Sequence, residues 1–420
     1  MTTFFAAQRF PPPQFTETGH KLPMMTEPAV RALGLERLDM VVLVAVLALA
    51  SWLALRRRSR RELVWLGIFS ALYFGFWRKG CICSIGSIQN ITQGLFDSNY
   101  AVSVVALVFG LLPLLAALLF GRVFCSSVCP HGALQDLVLL KPVKVPEWLE
   151  HSLRLLAYAY LGLAVVFAAT GGGYIICQYD PFIAVFRLGG SALMVSLGVG
   201  FLVTGVFVGR PYCRFLCPYG ALLGMLSTVS KWRVRITPDN CTQCRLCEQS
   251  CPFNAINKAS LDAPMHTVTT DKRRLAIMIA LAPVLVALGV WLGGVSGATM
   301  SRKHRVVNLA ERVHLEETGA VKDTTDASVA FRATGEPLEK LFADADAVRS
   351  RFVLAGRLCG AWIGLVVGLK LISLGVRRHR KDYEADQARC VACARCFRYC
   401  PEELKRLGLP VPEIPSSPSP

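Results

Sequence analysis

The sequence predicts an all-α polytopic membrane bundle of about seven spans, built on an internal two-fold repeat. A small α+β module, assembled from two non-contiguous segments, completes it. Three observations lead there. The 420 residues are 53% hydrophobic and only 18% charged, with a mean hydropathy of +0.44, a balance of membrane chains rather than soluble domains. A stretch of 18 residues recurs at an offset of 88, from Cys125 to Cys213. Eight of the 16 cysteines fall into two runs of the same spacing.

Crossing ~30 Å of hydrocarbon takes about 20 apolar residues. The candidate segments are 38–55, 62–77, 101–120, 155–173, 192–209, 275–298 and 353–376. The second is short and runs into Arg78, Lys79 and two cysteines, so a re-entrant course is its alternative. Residues 1–37 contain Pro11, Pro12 and Pro13 and lack the apolar core of a cleavable signal; they are read as a disordered segment.

The net charge of +17 invites a nucleic-acid reading. The basic residues instead cluster beside apolar segments, as cytoplasmic loops do, and nucleic acid is set aside. Arg56–Arg58, Arg60 and Arg61 follow the first segment, Lys141 and Lys144 the third, and Lys231, Arg233 and Arg235 the fifth. Lys272–Arg274 precede the sixth, and Arg377, Arg378, Arg380 and Lys381 follow the seventh. If every segment spans, all lie on one face, which is then cytoplasmic in a bacterial inner membrane. The membrane domain covers 38–230, followed by a first cysteine-bearing half at 231–274 and the sixth span at 275–298. Residues 299–352 form an outside loop with amphipathic helices around Leu309–Glu317 and Leu338–Phe352. The seventh span at 353–376 leads to the second cysteine-bearing half at 377–408 and a Pro/Ser-rich, disordered tail at 409–420.

The repeat reads GRVFCSSVCPHGALQDLV at 121–138 and GRPYCRFLCPYGALLGML at 209–226. Each copy follows an apolar segment and, before that, an outside loop carrying cysteine: Cys81 and Cys83 in the first, Cys177 in the second. Such repeats commonly place a shared site at their interface.

The runs CTQCRLCEQSCP and CVACARCFRYCP supply Cys241, Cys244, Cys247 and Cys251, then Cys390, Cys393, Cys396 and Cys400. C-x2-C-x2-C-x3-C-P is the bacterial ferredoxin spacing, in which three thiolates hold one [4Fe–4S] cluster and the fourth ligates its neighbour. Zinc prefers two cysteine pairs parted by a long spacer. The expectation is two clusters with crossed ligands: Cys241, Cys244, Cys247 and Cys400 on one, Cys390, Cys393, Cys396 and Cys251 on the other. Two spans separate the runs and return the chain to its starting side, so both halves can close one two-cluster ferredoxin module.

The repeated CxxxCP motifs (Cys125, Cys129, Pro130; Cys213, Cys217, Pro218), followed by ferredoxin cysteines, resemble the membrane polyferredoxins of the NosR, NapH and CcoG type. The loop YIICQYDPF, with Cys177, Asp180 and Pro181, is similar to that family's outside loop. The resemblance covers roughly 63–260 and the last run. It implies one-electron transfer in a respiratory pathway. A soluble ferredoxin or flavodoxin-like donor, a flavin-bearing periplasmic subunit and membrane quinone are the candidate partners. CcoG-type members imply a different role, maturation of a copper enzyme with the CxxxCP thiols handling the metal; a redox-sensing regulator is the third.

If helical, Cys125 and Cys129, like Cys213 and Cys217, share one helix face. They are candidates for a further metal, cluster or thiol relay, with buried packing as the alternative. Cys81, Cys83 and Cys177 are candidate ligands or disulfide partners. Lone histidines such as His131 and His314 are read as polar surface. The sequence SGAT at Ser296–Thr299 resembles sites of covalent FMN attachment, with Thr299 as the attachment residue; a Gly-rich helix end is the alternative. No nucleophile–base set, P-loop or dinucleotide fingerprint is present, which favours a carrier over a stand-alone enzyme.

Overall fold

A computed structural model describes residues 33–80, 83–236, 241–259, 268–376, 380 and 382–411. Residues up to 32, Cys81, Arg377, Arg378, Lys381 and the tail from 412 lie outside the described residues.

The chain is predominantly helical. α1 (Leu33–Trp52) continues through a widened turn to Arg57, and α2 (Arg60–Ser70), capped by the Ser59 side chain, widens likewise to Trp77. α3 (Ser84–Phe96), α4 (Val104–Phe120), α5 (Pro130–Leu137) and α6 (Glu147–Ala169) follow. The short α7 (Ile175–Tyr179) and α8 (Pro181–Arg187) lead into α9 (Ala192–Phe207), which leaves α8 at 98°. α10 (Pro211–Phe215) and α11 (Pro218–Ser227) close the membrane body. Beyond it come α12 (Leu246–Ser250), β1 (Ile256–Asn257), α13 (Val268–Ser301), α14 (Arg305–Glu317) and α15 (Asp326–Ala333). α16 (Leu338–Gly375), β2 (Glu384–Ala385), α17 (Arg395–Tyr399) and α18 (Pro401–Arg406) end the described chain.

Among the described residues, four helices are long and apolar enough to cross a membrane: α1 with its extension, α6, α13 and α16. The bent α8–α9 pair makes a fifth if it is one span. α4 is apolar but stops at 17 residues, where Gly121 adopts a positive φ of 74° that only glycine takes without strain. Residues 62–77 divide between α2 and its widened extension and do not reach span length as one regular helix.

The amphipathic stretch at 338–352 is not a separate helix. Nothing between Phe352 and Val353 breaks the hydrogen-bond ladder, so α16 runs 38 residues as one rod. α14, α15 and the start of α16 share a small core of Val307, Ala310, Val313, Phe331, Leu341 and Ala345. α15, which opens on a Thr325 capping box, falls in a polar stretch that shows no long apolar period.

α13 and α16 pack through glycines four residues apart: Gly289, Gly293 and Gly297 against Gly356, Gly360 and Gly364. A Cβ at Gly297 would stand 2.6 Å from the Phe352 carbonyl oxygen, so the backbones touch where side chains are absent. This helical hairpin separates β1 from β2 in sequence, yet the two strands pair antiparallel, Ile256 with Ala385 and Asn257 with Glu384.

Three buried carboxylates fasten the cysteine-bearing segments to the membrane body. Glu150 on α6 binds Arg214 at 2.9 Å and the Asn254 amide at 3.0 Å. Asp136 on α5 binds Arg60, Arg210 at 3.4 Å and Arg395 at 3.2 Å. Glu403 on α18 binds Arg58 at 2.7 Å and Arg406 at 2.6 Å. Burial works against the Asp136 charge, but the Arg210, Arg60 and Arg395 guanidiniums prevail and hold its pKa at about 2.

Candidate metal centres

The two cysteine runs adopt one backbone path. Gln243 and Arg245 in the first, Ala392 and Ala394 in the second, take positive φ of 53°, 61°, 53° and 59°. Non-glycine residues there are strained, and such strain concentrates at functional sites. Each loop curls so that three cysteines face inward. A one-turn helix then delivers the fourth, Cys251 or Cys400, in extended backbone before a proline.

Two small cavities result. One is lined by Cys241, Cys244, Cys247 and Cys400, with Ile236 and Tyr383. The other is lined by Cys390, Cys393, Cys396 and Cys251, with Phe253, Val391 and Ile256. The fourth cysteine of each run thus stands in the other run's cavity. Burial pushes the Cys247 and Cys390 thiols up to about 12, so their ionisation calls for a positive centre. Thiols grouped by fours in water-poor, apolar walls fit [4Fe–4S] clusters.

The second cavity is proximal to the membrane body. Arg60 donates to the Cys393 carbonyl at 3.5 Å, Arg214 to the Pro252 carbonyl at 3.0 Å and Arg122 to the Ala388 carbonyl at 2.8 Å. Arg210, 1% exposed, lies over the Phe253 ring at 5.6 Å and donates to the carbonyls of Cys125 and Ser126, the latter at 2.9 Å. One buried guanidinium therefore bridges the module and the CxxxCP region.

The CxxxCP pairs do not lie on single helix faces. Cys125 sits in a widened helical turn, Phe124–Val128, and Cys213 in α10, while Cys129 and Cys217 are extended N-cap residues of α5 and α11. The following prolines, Pro130 and Pro218, disfavour the helical conformation in the residue before them. The two units meet through reciprocal contacts. Arg210 of the second packs on Gly132 of the first at 3.3 Å, and Arg122 of the first on Gly220 of the second at 3.3 Å, measured to a Cβ built on each glycine. Arg122 also approaches the Cys125 sulfur at 3.8 Å, and Gln135 donates to the Cys213 sulfur at 3.1 Å.

Cys83 stands in extended backbone just before α3, and Cys177 lies exposed in α7. Neither forms a disulfide among the described residues. Cys83 and Asp180 reach His131, which is fully buried rather than on a polar surface. The clue is its place directly after Cys129-Pro130, which puts it in the first turn of α5 among the thiols. Thr299 is exposed in the last turn of α13.

A family model described as a 4Fe-4S binding domain matches residues 102–146 and 191–237, and a second of the same description matches 234–257. The chain is 31% identical over 201 residues to an uncharacterized protein of Methanocaldococcus jannaschii, covering 46% of this chain and 81% of that protein. It is 26% identical over 232 residues to the putative electron transport protein YccM of Escherichia coli, covering 47% and 65%. It is 30% identical over 237 residues to the regulatory protein NosR of Pseudomonas aeruginosa, covering 52% of this chain and 33% of NosR. No solved structure matches the chain.

Proposed function

The chain belongs to the NosR-type membrane polyferredoxins, 4Fe–4S-binding membrane proteins, and from that premise we propose that it passes single electrons through two clusters on the cytoplasmic side of a bacterial inner membrane. The observation that carries the reading is the pair of four-cysteine cavities with exchanged fourth cysteines. Cys241, Cys244, Cys247 and Cys400 hold the distal cluster; Cys390, Cys393, Cys396 and Cys251 hold the proximal one. Bound clusters supply reversible one-electron chemistry.

The protein residues set the conditions. Ile236, Phe253 and Val391 keep water from the thiols, which strengthens the electrostatic grip on each site. Arg60, Arg122, Arg210 and Arg214 bring positive charge to the proximal side and favour arrival of an electron there. The reciprocal Arg–Gly contacts support the approximate two-fold repeat, with the CxxxCP thiols at its interface. The basic flanks support the cytoplasmic orientation and seven passes, counting α4 and the α2 extension as short ones. An acidic ferredoxin or flavodoxin suits the basic face as redox partner. Thr299, at the end of α13 away from the strands, is the candidate for covalent FMN; about 50 Å of helix separates it from the module.

The test is exchange of single ligands. Cys400→Ser alters the EPR signal of the cluster built on Cys241, Cys244 and Cys247, and Cys251→Ser that of the other. Damage confined in each case to the run that carries the substitution would show that the ligands are not exchanged.

A further inference from the structure

We propose that Cys83, His131 and Asp180 form a mononuclear site inside the membrane body for a divalent transition ion of borderline softness, of the zinc class. One ligand atom from each of Cys83, His131 and Asp180 lies within 4.8 Å of the other two. His131 Nε2 and Asp180 Oδ2 stand 3.0 Å apart, close to the roughly 3.3 Å edge implied by zinc–nitrogen and zinc–oxygen bonds of about 2 Å. An ion there replaces the proton the pair shares. The Cys129 side chain lies against the imidazole and lines the same small cavity as Cys83.

The surroundings are those of a built site. His131 and Asp180 are 1% and 2% exposed. Asp180 Oδ1 accepts from the Phe182 N–H at 2.9 Å, which fixes the carboxylate and leaves Oδ2 directed at the histidine. Such outer contacts orient first ligands in metal sites. The rings of Phe182, Phe186 and Tyr212 surround the imidazole with centroids at 5.4, 5.4 and 6.1 Å and keep the cavity dry.

The donors choose the ion. One carboxylate cannot satisfy calcium or magnesium, which take six or more oxygens. One sulfur, one nitrogen and one oxygen suit a tetrahedral zinc-class ion with one position open. The site shares no residue with the two ferredoxin cavities, so it stands or falls apart from the cluster reading.

The test uses the full chain purified anaerobically in detergent, with iron counted in every preparation. Zn2+ is added in equilibrium dialysis, bound zinc is measured by mass spectrometry, and its ligands by zinc K-edge X-ray absorption. The wild type is expected to hold one zinc with mixed sulfur and nitrogen/oxygen scattering. Cys83→Ser and Asp180→Asn weaken it roughly tenfold or more, with iron content unchanged, while Cys177→Ser leaves it intact. If Asp180→Asn fails to accumulate, Cys83→Ser decides alone. No stoichiometric zinc, zinc bound equally by Cys83→Ser, or an all-sulfur shell from ferredoxin cysteines would overturn the site; the first result would leave His131–Asp180 as a proton-sharing pair.

Discussion

Asp136 is one of the residues that join the module to the membrane body. It gathers Arg60, Arg210 and Arg395 from three parts of the chain. Removing one member of a buried charge cluster leaves the others uncompensated, at a cost of about 3–5 kcal/mol. Asp136→Asn is therefore expected to lower the denaturation midpoint at neutral pH and to release iron sooner on warming, followed by loss of visible absorbance. Because its pKa is depressed to about 2 from the usual carboxylate value, this stabilisation is complete above the usual carboxylate pKa and is lost only as pH falls toward 2. The difference between wild type and Asp136→Asn should thus stay constant from mildly acidic to neutral pH; a difference that grew across that interval would mean that another group holds the contact. Among cysteines, the two runs were readable from their spacing, three of the four in each being close neighbours in sequence, while the fourth of each run lines the other run's cavity. His131 and Asp180 were not readable, because their meeting depends on how α5 and the α8 turn pack, and no spacing within one segment encodes that.

At the scale of elements, the α13–α16 hairpin shows what periodicity conveys and what it omits. The apolar runs at 275–298 and 353–376 were readable, but the continuous 38-residue α16 was not, since its polar first half and apolar second half look like separate elements. The glycines at four-residue intervals were the available sign of close backbone contact. Gly360→Val places two methyl groups where the Gly289 carbonyl now lies, and the backbone has no flexible side chain with which to yield. Overpacking of this kind costs about 1–3 kcal/mol. The expected result is a lower midpoint in detergent together with weaker pairing of β1 and β2, read as faster loss of iron. A Gly319→Ala change, on a loop with open space around the glycine but a φ of 70°, should cost about 1–2 kcal/mol of left-handed backbone strain and leave iron retention unchanged.

At the scale of the whole molecule, composition and basic flanks indicated a membrane chain, while the course of its middle third needed three dimensions. Stretches placed on opposite faces by counting spans, Cys83 and Asp180 on one and His131 on the other, come together in the interior. α8 and α9, in the same region, turn by 98° instead of running as one rod. A series of polar and sulfur groups then leads from the distal cavity through the proximal one and Arg210 to the CxxxCP turns. Cysteine-scanning with a membrane-impermeant thiol reagent, using a single added cysteine in the α14–α15 region, should label from the periplasmic side in spheroplasts. Labelling only after lysis would reverse the proposed orientation.

The central claim, two clusters held by exchanged cysteines, is tested most directly by iron and acid-labile sulfide counting with EPR during a reductive titration of anaerobically purified protein. The account predicts about eight irons per chain and two magnetically interacting cubane signals, with more iron only if the CxxxCP thiols hold a further cluster. Zinc in place of iron, or a well-folded preparation in which no EPR-active centre appears on reduction, would contradict it.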